Sequence, residues 1–225
     1  MDEERTRQDR FHQELEALKG RLLELAELAK TALDRSITAF WDRNQDLAGQ
    51  VIKGDKAIND LEVAIDGECI RLVALYQPVA VDLRIIMAVD HIIAEIERIG
   101  DQAANMAEEA LTLFRFSTHP LHPQILPMAR KVQDMLIQSL ESFINRDVLL
   151  ARQVCRDDDE IDSLDHSIIQ DLLENMASHQ EVVPGDQSQI TIVRNLERVG
   201  DHTTNIAEQV IYMVEGENVR HRCQE

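Results

Sequence analysis

A twelve-residue pattern that occurs twice limits what this chain can fold into. Residues 97–108 read ERIGDQAANMAE and residues 197–208 read ERVGDHTTNIAE, with seven identical positions. The similarity extends to flanking segments, from Phe40 onwards and again from Phe143 onwards. A chain that repeats itself in this way is built from two copies of one unit, here of roughly 100 residues each. The copied residues are mostly polar, which favours a duplicated binding site over repeated core packing.

Composition and turn signals indicate that each unit is helical. Hydrophobic residues make up 44% of the chain but aromatic residues only 4%, a balance that suits helices more than sheets. The five prolines fall in three places that would interrupt helices. Two polar segments, DRNQD and NRD, predict turns in which Asp46 and Asp147 cap the following helix. We therefore expect six helices, near residues 8–44, 46–76, 79–115, 125–145, 147–179 and 187–215.

These helices predict an all-α fold of two tandem, pseudo-symmetric three-helix bundles with long antiparallel helices. The first repeat is expected to span residues 1–116 and the second residues 125–225, joined by a linker of residues 117–124 that contains proline and histidine. Gly100 and Gly200 recur within the third helix of each repeat. Because glycine weakens a helix by about 1 kcal/mol relative to alanine, we expect a neighbouring helix to approach closely at both positions.

Charge and cysteine content restrict the partners and the compartment. The formal charge of -19, without a local cluster of Lys and Arg, disfavours nucleic acid and anionic membranes and favours small cations or basic protein surfaces. The first ten residues do not resemble a signal peptide, and no stretch approaches the roughly 18 apolar residues that span a bilayer. Cys69, Cys155 and Cys223 are odd in number and widely spaced, which fits reduced thiols. We expect a cytoplasmic protein without direct membrane insertion.

Oxygen-bearing side chains form an acidic stripe on the third helix of each repeat. At about 100° per residue, positions spaced four residues apart fall within a narrow arc of a helix. The two stripes consist of Glu97, Asp101, Asn105 and Glu108 and of their copies Glu197, Asp201, Asn205 and Glu208. Each stripe therefore points several oxygen atoms in one direction.

A second stripe lies on the preceding helix of each repeat. It consists of Asp55, Asn59, Glu62 and Asp66 in the first copy and of Asp158, Asp162 and Asp165 in the second, where Ile169 takes the last position. If the two helices fold back antiparallel, both stripes lie at the same height. Like charges placed together on a helix destabilise it by a few tenths of a kcal/mol per pair. A bound cation would relieve this repulsion, and carboxylate oxygens suit Mg, Mn, Ca or iron better than copper or structural zinc. The stripes therefore predict divalent or trivalent metal ions (iron, Mn, Mg or Zn), whose identity the sequence leaves open.

Two other interpretations of the stripes are kept open. Acidic helix faces are usually only solvated, and the protein would then be a metal-independent helical scaffold that docks basic partner proteins. The second interpretation is an oxidase or hydrolase whose active site is an oxygen-rich metal cluster. The chain has no ExxH pair, glycine-rich phosphate loop or nucleophile motif, so we expect no catalytic residues and no enzyme. His202 is expected to lie on the surface or to support the ligands.

Five segments are together specific enough to relate the chain to a known family. They are FHQELEALKGRLLELAELAKTAL at 11–33, LYQPVAVDLRII at 75–86, the two ERxGD motifs, and YMVEGENVRH at 212–221. Together they resemble the PhoU family of phosphate-uptake regulators, also called phosphate-specific transport system accessory proteins. The resemblance covers nearly the whole chain and implies two three-helix bundles related by pseudo-symmetry, in agreement with the six predicted helices.

The resemblance also implies a function. Proteins of this family are cytoplasmic, non-enzymatic negative regulators that damp phosphate uptake and phosphate-starvation signalling when phosphate is plentiful. Their partners are the phosphate ABC transporter and a phosphate sensor histidine kinase, and they are commonly homodimers. Family members hold metal ions, in some cases multinuclear iron clusters, at E/DxxxD motifs. In this chain the motif falls on Glu97 with Asp101 and on Glu197 with Asp201.

The chain departs from the family pattern at two places. Val81 stands where members often carry a small polar residue, and Asp90 and His91 stand where Lys is frequent. Asp90 would extend the first acidic stripe or would simply be exposed. The second repeat has no equivalent of QPVAVDLR, so the two sites need not bind metal equally.

Overall fold

The computed structural model describes residues 2–116 and 119–219, with side chains from Arg7 onwards. Residues 117–118 of the predicted linker and residues 220–225 of the predicted second repeat lie outside this part. Every regular element of the described part is helical, which confirms the all-α prediction, and none of these helices is long and apolar enough to cross a membrane. The elements are α1 (Asp2–Asp42), α2 (Gln45–Tyr76), α3 (Ala80–Leu113), α4 (Ile125–Asn145), α5 (Val148–Ser178), a short 3₁₀ turn (Gln180–Val182) and α6 (Val183–Glu215).

The two predicted helix caps have different outcomes. Asp147 caps α5 as predicted, because its side chain accepts a hydrogen bond from the Leu150 N–H at 3.0 Å. At α2 the prediction of Asp46 is wrong. Asn44 is the cap and accepts from the Leu47 N–H at 3.0 Å. Asp46 lies in the first turn instead, where its negative charge still favours the helix N-terminus.

Helix α6 begins earlier than the sequence predicts. It starts at Val183, whereas the prediction placed its start at residue 187, beyond Pro184. Proline is tolerated in the first turn of a helix because the N–H that it lacks would have no partner there. Pro184 therefore lies in the first turn of α6 and does not interrupt the helix.

The apolar faces of the six helices form one core. Helices α3 and α6 lie at its centre, because each packs against its own bundle and against the other. Ile92, Ile96 and Ile99 of α3 are fully buried, and burying a side chain of this size contributes about 1.5–3 kcal/mol. The bundles also meet at α1 and α4, where Gln133 Nε2 donates to Asp34 Oδ1 at 2.6 Å.

Helices α3 and α6 run antiparallel. Arg84, near the start of α3, donates from Nε to the Met213 carbonyl near the end of α6, at 3.5 Å. Further along α3, Glu95 meets Asn205, which comes earlier in α6. The middle of α3 therefore lies beside the middle of α6, and this arrangement brings the two ERxGD motifs to the same height.

Both repeated glycines mark close helix contacts, as predicted. A Cβ added to Gly100 would lie 2.8 Å from Cδ1 of Ile58 on α2. At Gly200 it would lie 3.2 Å from Oδ1 of Asp158 and 3.3 Å from Cγ2 of Ile161 on α5. Each glycine therefore lets the second helix of its repeat approach the third.

A buried polar network holds the linker on the second bundle. Asp186, at the start of α6, is 1% exposed, and its Oδ1 accepts hydrogen bonds from His119 Nε2 at 2.8 Å and Gln189 Nε2 at 3.2 Å. Its Oδ2 accepts from Asn175 Nδ2 at 2.7 Å. Gln189 Nε2 also donates to the Pro120 carbonyl at 3.1 Å. Because His119, Asp186 and Gln189 are buried, each depends on the others for its hydrogen bonds.

Arg43 holds the same linker on the first bundle. Its guanidinium donates to the carbonyl of Phe116 at 3.3 Å and to that of His119. Arg43 has a left-handed backbone with a φ of 53°, and Arg146, its copy in the second repeat, has a φ of 54°. The duplicated turn has therefore kept its backbone conformation.

Cysteine chemistry differs from the prediction at one position. Cys69 is a free, buried thiol, and burial raises its pKa to about 12. Cys155 is buried and disulfide-bonded, so the prediction of reduced thiols is wrong there. Spacing along the sequence does not measure the distance between cysteines in the fold, which is what decides pairing. Cys223 lies outside the described residues.

Candidate metal centre

Helices α2 and α3 bring the predicted ligands of the first repeat together. The hairpin between them turns at Gln77, whose left-handed φ of 49° ends α2. The chain then folds back, so that Asp55 and Asn59 on α2 face Glu97 and Asp101 on α3. We call these four residues the α2–α3 site.

Burial and neighbouring carboxylates raise the pKa of both acidic residues on the α3 side of the α2–α3 site. Burial raises the pKa of Glu97, and the Asp101 carboxylate raises it further, while Arg98 opposes the shift. Burial and the Asp55 carboxylate likewise raise the pKa of Asp101. Because the Asp55 carboxylate on α2 raises the pKa of Asp101 on α3, the two helix faces interact electrostatically across the site.

Two oxygen atoms of the α2–α3 site have no hydrogen-bond donor among the described residues. Asn59 Nδ2 donates to Asp55 Oδ2 at 3.2 Å. Asp55 Oδ1 and Asn59 Oδ1 are both buried and accept no hydrogen bond from this part of the chain. A buried polar atom without a partner costs about 1–3 kcal/mol. A metal ion bound between the helices would give both oxygens a partner.

The same arrangement recurs between α5 and α6. Asp158 and Asp162 on α5 face Glu197 and Asp201 on α6, and we call these four residues the α5–α6 site. Burial raises the pKa of Asp158 to about 7, with contributions from the carboxylates of Asp201 and Asp162. Burial and acidic neighbours also raise the pKa of Glu197 and of Asp201. Without a cation, Asp158 is therefore about half protonated at neutral pH.

Two further oxygen atoms lie on the stripes of the second repeat. Asp165 is buried, and its Oδ2 accepts from Arg194 at 2.8 Å. Asp165 Oδ1 and Thr204 Oγ1 are buried and have no hydrogen-bond partner in the part of the chain that the structure describes. Thr204 follows Asp201 by three residues and so shares its helix face. The repeated pattern did not predict Thr204 as a ligand, because the first repeat has Ala104 at this position. Its spacing of three residues from Asp201 is the feature of the sequence that could have indicated it.

The predicted ligand Asn205 is engaged by the other repeat. Its Nδ2 donates to Glu95 Oε2 on α3 at 3.1 Å, and His202 Nδ1 donates to the same oxygen at 2.7 Å. Although burial opposes the shift, these two hydrogen bonds hold the pKa of Glu95 below its usual range. His202 thus links the repeats. Asn105, the copy of Asn205, is exposed on α3.

The contact of Glu95 on α3 with His202 on α6 has a counterpart by pseudo-symmetry, in which α6 supplies the first residue and α3 the second. This counterpart carries different side chains. Asn195 occupies the position of Glu95, and Gln102 occupies the position of His202. Asn195 Nδ2 and Gln102 Oε1 are both buried and have no hydrogen-bond partner within residues 2–116 and 119–219. The contact made by Glu95 therefore includes a carboxylate, whereas Asn195 and Gln102 are both neutral amides. The repeats differ at their junction although their acidic stripes are alike.

The donor set fits a hard cation, but the side chains need to move to bind one. Within the described residues, no group of three or more Asp, Glu, His or Cys side chains is already arranged to hold a metal ion. Uncompensated carboxylates repel one another, and partly buried side chains are able to change rotamer. All donors of the two sites are carboxylate or amide oxygens, which Mg, Mn, Ca and iron prefer.

The raised pKa of Asp158 makes the metal-free protein less stable at alkaline pH. In the unfolded chain the pKa of Asp158 returns to about 3.9, so the folded state binds this proton more tightly. Its contribution to the free energy of unfolding is full below about pH 4 and is lost as the pH rises through about 7. We expect Asp158→Asn to stabilise the protein by about 1–2 kcal/mol at pH 8, after allowance for solvent screening.

Urea unfolding with a chelator present measures this effect at two pH values. At pH 4.5 the gain should be much smaller, because the wild-type carboxyl is then protonated in the folded state. Asp60→Asn, at an exposed position on α2, is the control and should change stability little at either pH. An equal gain from Asp158→Asn at both pH values would contradict the assigned cause.

Sequence comparison relates both repeats to known proteins. The family model described as the PhoU domain matches residues 22–110 and 125–210, one match in each repeat. The phosphate-specific transport system accessory protein PhoU of Escherichia coli is 35% identical over 211 residues, which cover 94% of this chain and 88% of that protein. The PhoU homolog of Aquifex aeolicus is 39% identical over 215 residues, which cover 95% of this chain and 96% of that protein.

Solved structures share the fold over almost the whole chain. The crystal structure of PhoU from Pseudomonas aeruginosa has a TM-score of 0.90 and 34% identity, and the match covers 92% of this chain and all of that one. The phosphate transport system regulatory protein PhoU from Streptococcus pneumoniae has a TM-score of 0.88 and 28% identity, with coverage of 93% and 99%. The helices that form both candidate sites therefore belong to an architecture found in these proteins.

Proposed function

This chain belongs to the PhoU family, and from that membership we propose that it is a non-enzymatic, cytoplasmic regulator of phosphate uptake and phosphate-starvation signalling. Its relatives are named accessory or regulatory proteins of the phosphate transport system. The proposed partners are the phosphate transporter and its sensor histidine kinase, which the protein restrains when phosphate is plentiful. Six long helices offer extended surfaces to such partners and suit a scaffold.

The proposal includes metal binding at the α2–α3 site and the α5–α6 site. The observation that supports it is that each repeat sets two acidic helix faces opposite each other and leaves buried oxygens without partners. In the first repeat the ligands are Asp55, Asn59, Glu97 and Asp101, with exposed Asn105 within the same stripe. In the second repeat they are Asp158, Asp162, Glu197 and Asp201.

A bound cation would supply positive charge between two helices that otherwise repel each other. The residues of each site lie at matched heights on their two helices, and Gly100 or Gly200 lets these helices approach. The second site differs, because recruiting Asn205 would break its hydrogen bond to Glu95. We therefore expect the two sites to bind metal with unequal affinity.

A metal-independent acidic scaffold is the alternative function. Its support is the net charge of -19, which attracts basic protein surfaces without any metal, together with the absence of a ready-made ligand cluster within the described residues. Chelation separates the two functions. A purely electrostatic scaffold keeps its partners in a chelator and loses them as salt rises, whereas metal-dependent docking is lost on chelation alone.

Phosphate uptake in living cells tests the proposed function. In a strain that lacks the chromosomal copy, uptake of radiolabelled phosphate from phosphate-rich medium should be several-fold too high, and the wild-type gene should restore low uptake. The variant Glu97→Gln/Asp101→Asn/Glu197→Gln/Asp201→Asn should fail to restore it, because both sites lose the charge that holds the metal.

The matched control carries the same change in charge at four exposed positions: Glu27→Gln/Asp60→Asn/Glu160→Gln/Asp171→Asn. It should restore low uptake as well as the wild-type gene does. If the wild-type gene leaves uptake unchanged, the regulatory role is wrong. If the site variant restores uptake as the control does, metal at these residues is not needed and the scaffold alternative remains.

A further inference from the structure

An apolar pocket with an acidic end lies between α2 and α3, about three helical turns nearer to their hairpin than the α2–α3 site. Its volume is about 330 Å³, and Asp90 is the charged residue in its lining. The other lining residues are Cys69, Ile70, Val73, Ala74, Ile86 and Met87. Pockets of this size are at the lower limit of those that bind small molecules.

Three carboxyl groups lie at the acidic end of the pocket, one on α3 and two on α2. Asp66 and Glu62 face Asp90 from α2, and the adjacent residue on α3 is His91. Burial raises the pKa of Asp90, and Asp66 raises it further, while His91 opposes the shift. Burial also raises the pKa of Glu62, with contributions from Asp66 and Asp90. Among the described residues, no Lys or Arg forms an ion pair with these three carboxyl groups.

Apolar surface continues along α2 beyond the pocket. Val63 and Ile70 are 66% and 62% exposed, and with Gly67 and Ala74 they follow helical spacing along one face for about 16 Å. A Cβ added to Gly67 would meet nothing within 4 Å, so no contact within the described residues explains this mid-helix glycine. The stripe is longer than a small ligand in the pocket would cover.

We propose that this stripe and pocket dock a helical segment of a partner protein, which inserts an apolar side chain beside Met87 and places a Lys or Arg on Asp90. The apolar stem of such a cation would pack along Ile70 while its charge reaches the carboxylates. Charge complementarity selects a basic partner, because the three carboxyl groups at the end of the pocket have no Lys or Arg ion pair within the described residues. The inference rests on the proposed function, because it assigns a surface to one of the regulator's partners.

Photocrosslinking in growing cells tests this surface. A benzophenone amino acid replaces Ile70 or, as a control, Leu173, which is exposed on α5. Position 70 should give an adduct whose partner segment is helical and carries Lys or Arg within about two turns. Asp90→Lys should lower the adduct yield at least about tenfold and Asp90→Asn about threefold, whereas Asp60→Lys should leave it unchanged.

Each outcome of the crosslinking decides the inference. It is overturned by a position-70 yield no higher than that of position 173, by an adduct that Asp90→Lys does not weaken, or by an adduct with a second copy of this chain. Asp90→Asn is nearly isosteric, and circular dichroism of the purified variants shows whether they fold. An Asp90-dependent adduct with the transporter or kinase supports the surface and the proposed function together. The same adduct with another protein supports the surface alone.

Discussion

Removing the carboxylates of one site should release metal from it. The variants Glu97→Gln/Asp101→Asn and Glu197→Gln/Asp201→Asn each take two negative charges from a single site. Purified without a chelator, each should contain about half the metal of the wild type, and the quadruple variant hardly any. The affinity of an oxygen site changes by orders of magnitude with the charge of its ligands. Elemental analysis measures this directly, and equal metal content in all four proteins would count against these residues.

Adding a chelator should reverse the order of stability of the wild type and these variants. With metal at about 100 times the dissociation constant, the wild type should gain about 2.7 kcal/mol per site, a gain that the variants lose at the altered site. Without metal, the variants should unfold at a higher temperature than the wild type. Burial and neighbouring carboxylates raise the pKa of Glu97 and Asp101, so their charged forms destabilise the fold. Variants that are less stable than the wild type in chelator would show that the carboxylates serve the fold and not a metal.

Asp186→Ala should lower the free energy of unfolding by about 3 kcal/mol. The substitution leaves His119, Gln189 and Asn175 without the acceptor that they share. Water has little access to replace it, because His119 and Gln189 are themselves buried. Urea unfolding at pH 7 measures the loss. A large effect also means that the linker contributes to stability, since His119 belongs to the linker.

Asp171→Ala is the matched control for Asp186→Ala. Asp171 also contacts a linker histidine, because His122 Nε2 donates to its Oδ2 at 3.3 Å. Its side chain is 60% exposed, and exposed pairs of this kind are worth at most about 1 kcal/mol. We expect a loss of less than about 0.5 kcal/mol. Similar small losses for both substitutions would show that the buried network does not hold the linker.

The fold and the facing acidic stripes could be predicted because both depend on local regularities. Helical spacing fixes which side chains share a face, and a tight hairpin fixes which residues of two antiparallel helices face each other. Asp55 could therefore be placed opposite Asp101 from the sequence alone. Gly100 was informative for the same reason, because a glycine within a helix already indicates a close neighbour.

The contacts between the repeats could not be predicted, because they depend on how α3 packs on α6. Asn205 looked equivalent to Asn105 in the sequence, and its bond to Glu95 exists only in the packed molecule. The cap of α2 is similar. Asn44 and Asp46 are both good cap residues, and the turn geometry chooses between them.

The antiparallel contact of α3 with α6 has an evolutionary consequence. A gene that encoded one repeat would make a chain with the α6-facing side of α3 exposed, and two such chains would cover it by forming a symmetric dimer. Fusion of two gene copies makes this association independent of protein concentration. Fusion also lets the two halves change independently. In a symmetric dimer of identical chains, every mutation appears at both symmetry-related contacts between the subunits. After fusion, one copy could acquire Glu95 while the other kept or gained Asn195, and selection could then specialise each centre separately.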